Sequence, residues 1–422
     1  FIRTTEERHK KTVQYLWNQL EKKGDIYLSK YSGWYSVSDE AFYDENEIQE
    51  IDGNKVAISS NSSVEWIEEE SYFFRLSKWE KPLLKYYEEN PDFIYPESRR
   101  NEVISFVKSG LKDLSVSRKS FSWGIPVPSN TSHVIYVWLD ALTNYISALN
   151  YPNKDDELFK KFWPASIHLI GKDILRFHAV YWPAFLLAAK IEVPKRVYGH
   201  GWILSGEEKM SKSKGNILDP LEIIEEYGLD PLRYYLIKEV SFGNDGNISQ
   251  DRLEDCINSD LANNYGNLCQ RVTAFAIKNC DGKVPSEIKF LDEDLLILDK
   301  YKNNLDNIRS KIDYQNINFY IDYIVNSLFE ANKYFNDQEP WKKKDDQIRL
   351  NTIVYTTLEI VRKISFLLYP IIPESSLKAL KIFDINETQI KLNSLSDNKY
   401  LTKGNNINKI DILFKKIEKN ND

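Results

Sequence analysis

Cysteine and long apolar runs are scarce in this sequence, and each scarcity excludes a class of protein. The three cysteines have no CxxC spacing and cannot form a disulfide framework, which indicates a reducing compartment and argues against a cysteine-built zinc site. The longest apolar runs, such as 366–372, are too short to span a bilayer. The first residues are polar and charged, unlike a secretory signal peptide, so we expect a cytoplasmic protein. A net charge of -7 excludes a uniformly basic coat for nucleic acid.

The chain is rich in hydrophobic (42%) and aromatic (13%) residues, which is enough for two or three domains with their own cores. After residue 124, strand patterns alternate with helical ones, which predicts a parallel sheet. These strand patterns cover 133–139, 167–171 and 196–199. Beyond residue 251 only helical patterns occur, at 253–280, 291–311, 315–336, 349–368 and 373–382. The sequence therefore predicts an α/β region followed by an all-α region.

The most informative motif is the polar segment Lys209-Met210-Ser211-Lys212-Ser213. Two lysines three residues apart on a loop with small neighbours can fold over a polyphosphate, where their charges stabilise the negative charge that develops during reaction. An arbitrary run of lysine and serine is more often a solvated surface loop. This particular string follows a strand-like pattern and precedes Gly-Asn, which favours nucleotide chemistry.

The same string is the second signature motif of class I aminoacyl-tRNA synthetases, and other phrases of the chain resemble the methionyl branch of that class. These phrases cover 113–118, 123–128, 136–141, 171–174 and 267–271. The resemblance runs in order from residue 1 to about residue 380. It implies a class I Rossmann-like α/β catalytic domain with a connective-peptide insertion, followed by an all-α anticodon-binding bundle. The implied segments are catalytic (1–27), insertion (28–115), catalytic with the lysine motif (116–250), bundle (251–390) and C-terminal tail (391–422).

The resemblance also implies an activity. A methionine–tRNA ligase uses ATP with Mg²⁺ to convert L-methionine to methionyl-AMP and then transfers the amino acid to tRNA(Met), initiator tRNA included. The expected partners are therefore L-methionine, ATP and tRNA(Met), with no membrane. We expect a monomer, because the chain ends without the additional C-terminal domain through which some relatives dimerise.

The implied methionine pocket consists of residues whose chemistry suits a thioether. Sulfur is soft and polarizable and packs well against aromatic rings. A histidine ring or a tyrosine hydroxyl can also donate a weak hydrogen bond to it. The residues are Trp138, Ala141, Tyr145, Ile174 and His178. Aromatic residues beside a buried strand are more often plain core, so the residues alone favour core packing. Where the family usually has proline after the alanine, this chain has Leu142, which we expect to alter the pocket wall slightly.

The implied ATP site combines a strand end with the lysine motif. Gly171, Lys172 and Asp173 follow a strand, and ligands of open α/β sheets bind at the carboxyl ends of strands. By resemblance, Asp173 holds the ribose, and Lys209 and Lys212 are the catalytic residues that stabilise the departing pyrophosphate. Met210, Ser211 and Ser213 complete the nucleotide-binding loop. Arg118 is an active-site candidate, and a surface position for it is equally compatible with the sequence.

The implied anticodon readers lie in the helical region. Asn267 and Arg271 are four residues apart on a predicted helix and therefore share a face. Trp341 follows Pro340 in a predicted turn. By resemblance these three residues read the CAU anticodon, with stacking on Trp341 and hydrogen bonds from the other two, as is usual for single-stranded RNA loops.

Two motifs of the family are missing. The first class I signature needs two histidines three residues apart, and none of the five histidines forms such a pair. In the family that signature precedes the phrase at residues 1–5, so we expect this chain to lack the first βα unit of the nucleotide-binding fold. The insertion contains no cysteine, so we expect no structural zinc.

Two other functions stay open at this stage. One is a catalytically inactive, tRNA-binding fragment of the same enzyme, since half of the ATP site would be missing. The other is a sister synthetase for leucine, isoleucine, valine or cysteine. The predicted pocket, the anticodon residues and the short insertion argue against the sister enzymes. Methionine-dependent exchange of pyrophosphate into ATP separates an active ligase from the fragment.

Overall fold

The computed structural model of the chain describes residues 1–36, 38, 41–43, 45–51, 53–205, 208–209 and 218–418. The chain divides into two compact units, Phe1–His200 and Gly201–Asp422. Most of the first unit shares one hydrophobic core, and the helical part of the second unit forms another. Among the described residues, no helix is both long and apolar enough to cross a membrane.

The first unit opens with helix α1 (Glu7–Lys22), and antiparallel strands follow in the segment that the sequence analysis assigned to an insertion. Val13, Leu16, Trp17 and Leu20 recur at helical spacing and are completely buried, so α1 packs one face into the core. The insertion is a long ribbon in which β1 pairs with β5, and β2 and a separate hairpin flank it. Its strands are β1 (Ile26–Ser36), β2 (Ala41–Tyr43), β3 (Ile48–Ile51), β4 (Asn54–Ala57) and β5 (Glu65–Phe74).

A mixed segment leads from the insertion to the parallel sheet. It contains two helices and five short strands: α2 (Glu80–Glu89), β6 (Ile94–Tyr95), α3 (Glu97–Lys108), β7 (Leu114–Ser115), β8 (Ser117–Arg118), β9 (Pro126–Val127) and β10 (Asn130–Ile135). Strand β10 lies between β8 and β9 and is antiparallel to both.

The predicted strand over 133–139 is wrong in its second half. Strand β10 ends at Ile135, and helix α4 (Val137–Ser147) begins two residues later, after an extended Tyr136. A short apolar run is compatible with a strand or with a buried helix, so its periodicity could not decide. Leu139, Leu142 and Ile146 lie at helical spacing and are buried, which explains why the helix forms.

The parallel sheet is confirmed. Helix α5 (Glu157–Phe162) precedes β11 (His168–Gly171), which is followed by α6 (Trp182–Ala189) and β12 (Val197–His200). Strand β12 lies between β11 and β6 and is parallel to both. The chain between β11 and α6 forms a 3₁₀ turn at Lys172–Ile174 and a π-helical turn at Phe177–Tyr181. Helical turns of the π type are frequently found at functional sites.

The second unit begins with a small sheet of β13 (Ile203–Ser205), β14 (Glu208–Lys209) and β15 (Gly246–Asn247). Helices follow, and those from α9 onward lie in the region that the sequence predicted to be all-helical. They are α7 (Pro220–Tyr227), α8 (Leu229–Glu239), α9 (Gln250–Cys256), α10 (Asn267–Asn279), α11 (Asp292–Asn303), α12 (Leu305–Asp313), α13 (Ile317–Asp337), α14 (Gln347–Leu368) and α15 (Pro373–Leu380). A second π-helical turn, Ile257–Gly266, joins α9 to α10.

Helix α14 is the centre of the bundle and carries three completely buried charges, Glu359, Arg362 and Lys363. The Arg362 Nε donates to a Glu359 carboxylate oxygen at 2.7 Å. The Lys363 Nζ donates to the Leu395 carbonyl oxygen and, at 2.7 Å, to Asn398 Oδ1. Burial, together with the neighbouring Arg362, lowers the pKa of Lys363 to about 8. The charges of α14 thus bind the segment around residue 395.

The segment from residue 391 onward, predicted as a tail, packs on the bundle over much of its described length. Leu395, Leu401, Ile407 and Phe414 are each less than a tenth exposed and belong to the core of this unit. The Leu401 amide donates to Glu359 at 2.7 Å, so backbone groups of this segment complete the buried network. These four apolar residues are spread among many polar ones, so the sequence showed no regular apolar pattern that would have predicted the packing.

Candidate active site and anticodon surface

A hydrogen-bonded pair of side chains, Tyr145 and His178, joins α4 to the π-helical turn. The His178 Nδ1 lies 2.9 Å from the Ile174 carbonyl oxygen, and the Tyr145 hydroxyl lies 2.8 Å from His178 Nε2. Because a carbonyl oxygen can only accept, Nδ1 carries the hydrogen, and in the neutral ring Nε2 must then accept from the hydroxyl. Three predicted pocket residues are therefore linked in one chain of hydrogen bonds.

This arrangement makes the pair electrically neutral. Burial lowers the pKa of His178 against a weaker opposing effect of the Ile174 carbonyl, and burial raises the pKa of Tyr145. Both side-chain hydrogens are already donated within the protein. The sequence analysis expected one of these groups to donate to sulfur, and in this structure neither hydrogen is directed to a ligand. A thioether would instead be held by ring packing, with the tyrosine oxygen left as an acceptor.

A stacked pair of rings stands beside this chain of hydrogen bonds. Trp138 on α4 lies flat on Phe177, with ring centroids 3.5 Å apart and an angle of 9° between the planes. Both rings are half-buried. Phe177 was not predicted as a pocket residue, although it directly precedes His178. Its signal in the sequence was weak, because an aromatic residue on an apolar helix is usually core.

Ala141 is the small residue among the predicted pocket residues of α4. It lies one turn from Trp138 and one turn from Tyr145 on α4, and so shares their face. It also lines a cavity of about 510 Å³ whose walls include Trp123, Tyr136 and Val137. Leu142 is only 1% exposed and belongs to the core of this unit, and its expected effect on the pocket wall stays a prediction.

A second missed residue, His168, begins strand β11. Its ring lies on Tyr145 with centroids 4.0 Å apart and planes 23° apart, and it is 6.2 Å from the His178 ring. Its side chain is buried among rings. The sequence analysis assigned this position to a buried strand, where a single histidine gives no functional signal.

The predicted nucleotide residues follow β11 directly. Gly171 ends the strand, and Lys172 and Asp173 form the 3₁₀ turn at its carboxyl end. A Cβ added at Gly171 would lie 2.6 Å from the Asp173 Oδ1, so the glycine lets this carboxylate fold back over the strand end. Lys209 lies in β14, where its backbone is paired with Leu204. Met210, Ser211, Lys212 and Ser213 lie outside the described residues.

Arg118 is buried, which excludes the surface position that the sequence left open. Arg118 lies at the end of β8 and is only 5% exposed. The guanidinium lies 3.8 Å from the centre of the Tyr136 ring and donates to Ser115 Oγ at 2.6 Å. Tyr136 also lines the cavity beside Ala141, so Arg118 is placed behind one wall of that cavity.

The predicted anticodon residues lie on one surface of the bundle. Asn267 is exposed at the start of α10, and Arg271 follows one turn later. The Arg271 guanidinium donates to Asn336 Oδ1 at 2.7 Å and lies 5.6 Å from the centre of the Phe335 ring. The edge of the Phe335 ring also meets Trp341, which is 40% exposed. Phe335 thus connects Arg271 and Trp341.

No group of three or more histidine, cysteine or acidic side chains suited to a metal occurs in the part of the chain that the structure describes. The cysteines are unbonded, and all three lie in the helical unit rather than in the insertion.

Comparison with known proteins identifies both parts of the chain. Residues 1–273 match the family described as tRNA synthetases class I (M), and residues 284–422 match the anticodon binding domain of methionyl tRNA ligase. A methionine–tRNA ligase of Brucella suis is 51% identical over 91% of this chain and 75% of its own length. A methionine–tRNA ligase of Rickettsia felis is 50% identical over 99% of this chain and 81% of its own length.

Solved structures agree with these relatives. The methionyl-tRNA synthetase of Mycobacterium tuberculosis, in complex with methionyl-adenylate, superposes with a TM-score of 0.93 and 46% identity. The match covers 98% of this chain and 82% of that protein. Within this chain the match to the class I family precedes the match to the anticodon-binding domain. The chain therefore belongs to the methionyl-tRNA synthetase family of class I aminoacyl-tRNA synthetases.

Proposed function

We propose that this chain activates L-methionine with ATP and transfers it to tRNA(Met), and that its methionine pocket is the ring cluster of α4 and the π-helical turn. The observation that carries the proposal is the neutral Tyr145–His178 pair beside the stacked rings of Trp138 and Phe177. Such a site offers polarizable surface and no charge, which suits a thioether and disfavours polar or charged side chains.

The reaction needs no covalent enzyme intermediate. The methionine carboxylate attacks the α-phosphate of ATP, so methionyl-AMP forms and pyrophosphate leaves. A terminal hydroxyl of tRNA then attacks the acyl carbon, and AMP leaves. In this scheme Gly171, Lys172 and Asp173 hold the nucleotide at the carboxyl end of β11, and Lys209 and Lys212 stabilise the departing pyrophosphate.

Mg²⁺ would accompany ATP as part of the substrate. Its oxygen ligands would come from the phosphates and from water, while Asp173, an exposed carboxylate at the strand end, would hold the ribose. Arg118 would act through Tyr136 on the wall of the cavity. The monomeric state, the cytoplasmic location, the absence of zinc, the use of initiator tRNA and the domain boundaries stay predictions.

The anticodon would be read on the surface formed by Asn267, Arg271 and Trp341. Trp341 offers a half-exposed ring for stacking, while Asn336 and Phe335 hold the guanidinium of Arg271 in a fixed direction. A guanidinium oriented in advance loses less conformational freedom when it binds a base edge.

The test of the proposal is methionine-dependent exchange of labelled pyrophosphate into ATP, followed by charging of tRNA(Met). We expect exchange with methionine and not with leucine. We expect the Lys212→Ala variant to lose about two orders of magnitude in rate, because electrostatic stabilisation of a transition state is of this size. Binding of tRNA(Met) without any exchange would instead support the alternative of an inactive tRNA-binding fragment.

The affinity for methionine should depend on pH in one direction only. Because the pKa of His178 is lowered below its usual 6.5, the ring stays neutral from pH 8 down to about pH 6.5 and the dissociation constant stays constant. Further acidification protonates Nε2, which can then no longer accept from Tyr145, and affinity falls. Calorimetric titration at several pH values measures this. A loss of affinity between pH 8 and pH 7, with the fold intact by circular dichroism, would contradict it.

A further inference from the structure

His168 lies under the ring of Tyr145 and has no other evident purpose. The imidazole is stacked on the phenol ring at a centroid distance of 4.0 Å, and the residue is only 4% exposed. Trp163 and His178 are next to it, each with its ring centre 6.2 Å away. Two stacked rings therefore form the wall of the proposed methionine pocket at this point. Tyr145 is the ring nearer to the pocket, and His168 lies behind it.

The fold itself does not explain a histidine at this position. Both ring nitrogens are buried, and neither has a hydrogen-bond partner among the described residues. The strand is held by backbone contacts, such as the His168 amide that donates to the Arg196 carbonyl oxygen at 2.8 Å. An unsatisfied buried polar group is destabilising, so an aliphatic residue would suit a purely structural role better.

Acid–base chemistry does not explain it either. Burial, with a smaller contribution from His178, lowers the pKa of His168 to about 3. The ring is therefore neutral over the whole range in which an aminoacylating enzyme works. What remains is the shape of the ring and its contact with Tyr145.

We propose that His168 is a positioning residue that sets the depth of the methionine pocket by supporting the ring of Tyr145 from below. The inference rests on the proposed function. Tyr145 reaches His178 Nε2 at 2.8 Å only while its ring keeps its present height and tilt. With the imidazole removed, the phenol ring can sink into the space, which breaks this bond and lengthens the pocket. A substrate one methylene longer than methionine then fits.

The experiment compares the binding of L-methionine and L-ethionine, its S-ethyl homologue, by isothermal titration calorimetry. Because only amino-acid binding is measured, the result does not depend on the ATP site. We expect His168→Ala to shift the ratio of the two dissociation constants toward ethionine by at least about tenfold, the discrimination usual for one methylene. His168→Phe keeps a flat ring under Tyr145 and should keep the wild-type ratio. Should His168→Ala not fold, the β-branched His168→Val removes the ring while suiting a strand.

Phe93→Ala is the matched control. Phe93 is 1% exposed, lies in the same unit and packs against Tyr86 and Tyr87 rather than against the pocket. It should lower thermal stability without changing the ratio, whereas a general loosening of the core would change it in both variants.

The outcomes separate this inference from the proposed function. A wild-type chain that binds no methionine overturns the proposed pocket, and the inference falls with it. Wild-type binding with an unchanged ratio in the ring-less variant overturns the role of His168 alone. An equal shift in His168→Ala and His168→Phe also overturns it, because the stacked ring would then not be the cause.

Discussion

Replacement of Trp138 by alanine should lower kcat/KM for methionine by about two to three orders of magnitude. The indole supplies one face of the proposed pocket and is held flat by Phe177 at 3.5 Å. Loss of a large packed aromatic side chain costs about 3–5 kcal/mol, and each 1.4 kcal/mol is tenfold in affinity. The effect should appear in KM for methionine rather than in KM for ATP, since the indole contacts only the amino acid in this scheme. Methionine-dependent pyrophosphate exchange gives both constants.

Trp79→Ala is the control for this prediction. Trp79 is also half-buried and belongs to the same unit, but it lies in the 3₁₀ turn before α2. We expect it to reduce stability and to leave KM for methionine within about twofold. If Trp138→Ala discriminates methionine from leucine as well as the wild type does, the assignment of the pocket is wrong.

Removal of Arg271 and Trp341 together should lower kcat/KM for charging of tRNA(Met) by about one to four orders of magnitude. A bidentate contact to a base edge and one stacked base are each worth about 1–3 kcal/mol. Methionine-dependent pyrophosphate exchange involves no tRNA and should be unchanged. This contrast distinguishes a loss of anticodon reading from a loss of folding.

The single variants refine the same prediction. Because Phe335 contacts both side chains, the two single effects should not add simply, and the double variant measures their coupling. Phe329→Ala, an aromatic residue of α13 that is 65% exposed, is the control and should charge tRNA normally. Equal charging of a tRNA with an altered anticodon by the wild-type chain would contradict the role of this surface.

Much of the fold could be predicted from the spacing of apolar residues along the sequence. The helices α13 and α14 begin and end within two residues of the predicted ranges, because long amphipathic or apolar helices repeat their pattern often enough to be recognised. The strands at 167–171 and 196–199 were also predicted. The strand predicted over 133–139 was wrong in its second half because a short, mostly apolar run fits a strand and a buried helix equally well. The burial of Arg118 could not be predicted, since its stacking on Tyr136 depends on how separate strands meet.

The residues of the candidate site were easier to predict than their interactions. Tyr145 and His178 were implied by the family resemblance, but the hydrogen bond between them, and hence the tautomer of the histidine, needs the distance between two helical segments. Phe177 and His168 were missed because an aromatic residue in an apolar segment is normally core. The nucleotide-binding loop was recognised from its sequence alone, and Lys212 lies outside the described residues.

The buried charges of α14 limit where the chain can be truncated without loss of stability. A shortened chain that ends near residue 390 would keep α15. It would lack the Leu395 carbonyl oxygen, which accepts from Lys363, and the Leu401 amide, which donates to Glu359. A buried charge that loses its partner costs about 3–5 kcal/mol, a large share of the stability of a domain. Proteases should accordingly cleave within 392–401 only after the bundle unfolds. An anticodon-binding fragment prepared for study should therefore retain these residues, although they lie far in sequence from Asn267 and Trp341.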